Sequence, residues 1–120
     1  MGRLTTHVLD TSRGCPAIAV GITLYRLETK DTTAKVLIKK DITNADGRLD
    51  SPILIDDQFR LGIYELIFQA GDYFRANRIE LPTPAFIDEV VLRFGIADAD
   101  SHYHVPLLVS PWSYSTYRGS

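Results

Sequence analysis

Apolar and polar residues alternate with a period of two along most of this chain, the spacing that turns one face of a β-strand toward a core and the other toward water. In Leu4-Thr5-Thr6-His7-Val8-Leu9, the positions Leu4, Thr6 and Val8 share one face, and Thr5, His7 and Leu9 share the other. Residues 12–16 form a turn cluster. After it, Ile18, Val20, Ile22 and Leu24 alternate against Ala17, Ala19, Gly21 and Thr23, which predicts a half-buried strand. A third strand is expected over residues 34–43, ending at Asn44-Ala45-Asp46-Gly47. Asn or Asp followed by Gly marks a tight turn, because Gly accepts the positive φ that such turns impose. Arg48 then follows directly on a stiff stretch of backbone.

Residues 63–69 read as a further strand, and residues 71–78 have room for two helical turns. Leu81-Pro82-Thr83-Pro84 can neither continue a helix nor sit in a central strand, so it is a loop. Val90, Leu92, Phe94 and Ile96 alternate with Val91, Arg93 and Gly95. Tyr103, Val105 and Leu107 alternate likewise, with His102 and His104 on the opposite face. A last strand is expected over residues 114–118. Short strands separated by turn signals predict an all-β protein: an antiparallel two-sheet β-sandwich of seven to eight strands with one short helix. It is expected to form one domain over residues 1–120, with both terminal strands integral to the sheets.

Composition narrows the partners. The hydrophobic fraction is 45% and the charged fraction 23%, as in ordinary globular proteins, and the net charge is −2 with no long basic run. Neither nucleic acid nor an anionic membrane is an expected partner. Cys15 is the single cysteine, which rules out an intrachain disulfide and a thiolate metal cluster. No window approaches the roughly 18 apolar residues of a membrane helix, and the N-terminus has no apolar signal segment, so the cytoplasm is the default location.

The candidate chemistry rests on three histidines and two arginines. An imidazole titrates near neutrality and suits general acid or base work. His7 and His104 should project from the outer faces of their strands. His102 is distinguished only by its neighbour. The i, i+2 spacing of His102 and His104 puts both rings on one side, and with His7 they could in principle hold zinc. No carboxylate is identifiable to support such ligands, so a metal is not expected. Arg48 and Arg118 offer planar forks of donors suited to carbonyl oxygens or an anionic ring. Taken singly, these residues leave function open.

Four segments taken together do not. Leu4-Thr5-Thr6-His7-Val8-Leu9-Asp10, Asp46-Gly47-Arg48, His102-Tyr103-His104-Val105-Pro106-Leu107-Leu108 and Tyr114-Ser115-Thr116-Tyr117-Arg118-Gly119-Ser120 resemble, in order, the signature blocks of the transthyretin-like 5-hydroxyisourate hydrolases. The terminal Tyr-Arg-Gly-Ser discriminates most, since transthyretin carriers share the fold and lack it. Two segments depart from family habit: Leu81-Pro82-Thr83-Pro84-Ala85-Phe86, and Trp112-Ser113 in place of a usual Phe-Gly.

The resemblance implies a homotetramer, a dimer of dimers, with active sites in the clefts between dimers and no metal or organic cofactor. It also implies hydrolysis of 5-hydroxyisourate to 2-oxo-4-hydroxy-4-carboxy-5-ureidoimidazoline in urate degradation. Carried over by position, His7, Arg48, His104 and Ser120 would be catalytic. His7, Arg48, Tyr117, Arg118 and Gly119 would bind the substrate. Ser120 would orient water or a histidine through its hydroxyl or a free carboxylate. Two imidazoles beside one cation should have lowered pKa values. The alternatives are a transthyretin-like carrier that binds a small ligand without transforming it, and a sandwich module that only mediates protein contacts.

Overall fold

The computed structural model describes residues 2–28 and 34–119. Its strands are β1 (Arg3–Asp10), β2 (Cys15–Pro16), β3 (Gly21–Leu27), β4 (Lys35–Ile42), β5 (Leu54–Ile55), β6 (Gly62–Gln69), β7 (Glu89–Ile96), β8 (His102–Val109) and β9 (Tyr114–Thr116). The helix α1 (Ala70–Ala76) follows β6 without a break. One sheet has the order β2-β1-β8-β9, with β5 also paired to β1, and the other has the order β4-β3-β6-β7. This is an all-β sandwich. The seven longer strands fall in the segments expected. The two-residue strand β2 lies inside the expected turn cluster 12–16, where Cys15 and Pro16 pair with Asp10 and Leu9, and like β5 it is too short to show a period.

Inward positions of both sheets build the core. Leu4 and Val8 of β1 meet Tyr103, Val105, Leu107 and Val109 of β8 in one layer. Ile22 and Leu24 of β3, Tyr64, Leu66 and Phe68 of β6, and Val90 and Leu92 of β7 form the other. Phe74 of α1 is fully buried and closes one end. Thr6 also faces inward, and its hydroxyl is satisfied by donating to the carbonyl of Val105 at 2.6 Å. The carboxylate of Asp10, buried at the end of β1, accepts from the backbone N–H of Ser12 and from the Tyr73 hydroxyl at 2.8 Å. Burial and this carboxylate push the Tyr73 hydroxyl up to about 12.

Three elements differ from expectation. The strand predicted from Ile18 begins only at Gly21, and Ile18 is 53% exposed while Ala17 and Val20 are buried. Ala19 has a φ of 64°, which breaks the alternation. Thr43 stabilises the buckle: its hydroxyl donates to the carbonyl of Ala17 and accepts from the N–H of Val20. The last strand ends at Thr116 rather than Arg118, although chain pairing resumes at Gly119 opposite His104. Finally, β1 and β8 pair in parallel, within a sandwich whose other strand pairs are antiparallel.

Candidate active site

The parallel pairing of β1 with β8 builds the site. Its register sets Arg3 opposite His102, Thr5 opposite His104 and His7 opposite Pro106. Because facing residues alternate, Thr5, His7, His102 and His104 share the outer surface of the first sheet. A cleft of about 470 Å³ opens there, walled by Arg3, Thr5, His102, His104 and residues 48–52.

Arg48 reaches this surface through a turn that docks on β1. The Asn44 side chain accepts from the backbone N–H groups of Asp46 and Arg48, and the N–H of Gly47 donates to the Asn44 carbonyl. The carbonyl of Gly47 accepts from the N–H of Val8 at 2.8 Å, and Arg48 bridges to His7. Gly47 has a φ of 73°, and a Cβ there would lie 2.5 Å from the Val8 carbonyl oxygen. The site therefore requires glycine at this position. Replacing Gly47 by Ala is expected to destabilise the protein by about 1–3 kcal/mol, the cost of a strained backbone. Turnover should fall as well, because Arg48 must move with the turn. Urea denaturation together with kcat checks both parts.

The chain end contacts the site through its backbone. The N–H of Gly119 donates to the His104 carbonyl at 2.7 Å. A Cβ on Gly119 would lie 2.9 Å from Cδ2 of His104, so the terminal segment packs against the imidazole only because residue 119 has no side chain.

All three histidines titrate below the ordinary 6.5. Burial lowers His104 most, followed by the charges of Arg48, His102 and His7. Burial also leads for His7, followed by Arg48, with Asp46 opposing. For His102 burial leads and Arg3 follows. The direction matches the expectation, but desolvation outweighs the neighbouring cation. A neutral imidazole beside a guanidinium can take a proton from water while the cation stabilises developing negative charge.

The structure therefore brings Arg48 and His104 together in one cleft. His7 lies next along the same face, outside the cleft walls but close enough for its charge to act on His104. It does not bring Tyr117 and Arg118 there. They line a second groove, of about 460 Å³, where edge strands β7 and β9 face each other across the sandwich. Arg118 lies over the Tyr103 ring at 4.1 Å. Ser120 lies outside the described residues. Sequence reasoning missed Thr5, whose hydroxyl sits between the rings of His102 and His104. Its outward position on β1 was legible, but its neighbours depend on the pairing with β8. Among the described residues no three His, Cys, Asp or Glu side chains converge to hold a metal ion, and no helix is long and apolar enough to cross a membrane.

The sequence model of the HIUase/Transthyretin family matches residues 4–119. A 5-hydroxyisourate hydrolase of Pseudomonas aeruginosa is 61% identical over 120 residues, covering 100% of this chain and 93% of that protein. Among solved structures, the 5-hydroxyisourate hydrolase of Klebsiella pneumoniae superposes with a TM-score of 0.80 at 31% identity, with full coverage of both chains. An (S)-allantoin synthase superposes with a TM-score of 0.92 at 49% identity, and this chain spans 44% of its length. With sequence blocks, sandwich and outer-face cleft in agreement, the chain belongs to the HIUase/Transthyretin family.

Proposed function

We propose that this chain is a 5-hydroxyisourate hydrolase acting in urate degradation. The observation that carries the reading is the convergence of Arg48 and His104 on one cleft with His7 beside them, in a chain 61% identical to a hydrolase of that name. Neutral His104 takes a proton from water as the water oxygen bonds to a ring carbonyl carbon of the substrate. Arg48 donates hydrogen bonds to the carbonyl oxygen as it gains negative charge. The ring C–N bond then breaks, its nitrogen takes up a proton, and the carbonyl carbon becomes the product carboxylate. His7 adds a second imidazole to the same surface. Tyr117, Arg118, Gly119 and Ser120 complete the substrate pocket, Gly119 by closing on the His104 ring and Ser120 by orienting water.

The protein works as a homotetramer, a dimer of dimers, with each site closed by a neighbouring protomer. Two features support this assembly: the cleft is open on an outer sheet face, and Ile18, Phe86 and Trp112 are large apolar side chains left 53%, 73% and 61% exposed. Residues 1–120 form one domain, no cofactor takes part, and the enzyme resides in the cytoplasm.

Mixing the purified protein with freshly prepared 5-hydroxyisourate tests the reading. Ultraviolet absorbance should decay far faster than in buffer alone, and decay at the spontaneous rate overturns the assignment. The acid limb of the kcat/KM profile, which reports the free enzyme's essential base, should lie below pH 6.5 because His104 is depressed from that value. The same depression means that below pH 6.5 the unfolded chain binds more protons than the folded one. Stability should therefore fall as acid is added through that range.

A further inference from the structure

Thr5 and His102 carry no role in the scheme above, yet both are tied to His104. The Thr5 hydroxyl oxygen lies 2.8 Å from Nδ1 of His104 and 2.9 Å from Nε2 of His102. A hydroxyl has one proton to donate and can accept two hydrogen bonds. When His104 takes up a proton at Nε2, both of its ring nitrogens become donors. Nδ1–H must then donate to Thr5, and the Thr5 proton is left to point at Nε2 of His102. The charged state of His104 thus permits one direction along this chain of hydrogen bonds.

We infer that Thr5 is a positioning residue for hydrolysis, which, with His102 as its acceptor, holds His104 with its proton on Nδ1 and leaves Nε2 as the base. The inference rests on the hydrolase reading of the cleft. Backbone pairing of two neighbouring strands, with Thr5 opposite His104 in register, sets the contact. The charged and titratable groups around His104 agree with it: Arg48 from the docked turn, His7 from β1 and His102 from β8 all act on the ring. A guanidinium on the cleft side favours a lone pair there over an N–H. Asp50 lines the same cleft, and Arg3 stands beside His102. The acceptor behind the imidazole has the place that a carboxylate holds in a Ser-His-Asp triad, but a neutral hydroxyl supplies a smaller effect.

Thr5→Val keeps the shape and removes the hydroxyl. Its kcat is expected to fall about 10- to 100-fold, with KM changed less than about twofold. The acid limb of kcat/KM should move to lower pH, because the imidazolium has lost its acceptor while Arg48, His7 and His102 are unchanged. Thr5→Ser should restore most of the turnover, which separates the hydroxyl from packing. His102→Leu leaves Thr5 in place without its acceptor and should lower kcat by about 3- to 10-fold. That variant carries the test if Thr5→Val does not fold. Long-range proton–nitrogen spectra of the ligand-free protein should find His104 protonated on Nδ1 in the parent and in Thr5→Ser. This readout needs no turnover, so a failure to hydrolyse 5-hydroxyisourate would sink the hydrolase reading separately. A parent whose His104 carries its proton on Nε2, or unchanged kcat in Thr5→Val or His102→Leu, overturns the inference.

Discussion

Replacing His104 by Asn is expected to lower kcat by about 10²- to 10⁴-fold, the range that a positioned general base contributes. Folding should change little. The side chain lies on the outer face of β8, partly exposed to the cleft, and the core is filled by its neighbours Tyr103 and Val105. The strand keeps its backbone pairing, including the bond that the His104 carbonyl accepts from Gly119. Asn has an amide near the former Nδ1 position and no group that can take a proton at neutral pH. Steady-state turnover beside a thermal melt separates the two effects. Near-normal kcat in a folded variant removes His104 from the mechanism.

Arg48→Gln is expected to cost about 10²- to 10³-fold in kcat, the loss seen when one donor to a developing oxyanion is removed. A second consequence has a definite sign. The Arg48 charge holds both His7 and His104 below their ordinary values, so its removal lets both rise. The acid limb of the variant's kcat/KM profile should therefore move up toward pH 6.5, opposite to the shift expected of Thr5→Val. Arg48→Lys keeps the charge and loses the planar fork, so it should leave the limb in place while recovering only part of the rate. An unmoved limb in Arg48→Gln would show that the guanidinium does not act on the histidines.

The transthyretin-type sandwich was legible because strands such as β1, β3 and β7 each bury one face. Leu4, Thr6 and Val8 had to point inward once strand periodicity was assumed, and their burial follows. The misread segment was 17–20, where Ala19 at positive φ turns an alternating pattern into a buckle held by Thr43. The left-handed Ala19 exchanges the faces of the residues before it, so that Ala17 is buried and Ile18 exposed while Val20, Ile22 and Leu24 keep the expected inward face. Nothing in an alanine's chemistry signals it. Arg48 was legible as a residue fixed by a glycine turn, because Gly47 has a local reason to be glycine. That the turn docks on β1 and not on the next strand was not legible.

Local pattern by itself determined the seven longer strands to within a few residues, where α1 and the turn before Arg48 fall, and that His102 and His104 share a face, since these follow from bond geometry within a few residues of chain. The four ordered blocks added the family. Only the tertiary structure decided the neighbours across the sheet. The parallel register of β1 and β8 brings Thr5 between two imidazoles that are 97 and 99 positions away in sequence. The antiparallel pairing of β9 with β8, resumed at Gly119 opposite His104, leaves Tyr117 and Arg118 lining the groove between the sheets while Gly119 adjoins the cleft. Pairing between distant strands depends on how the whole core packs, and that sum over long-range contacts is written in no single segment.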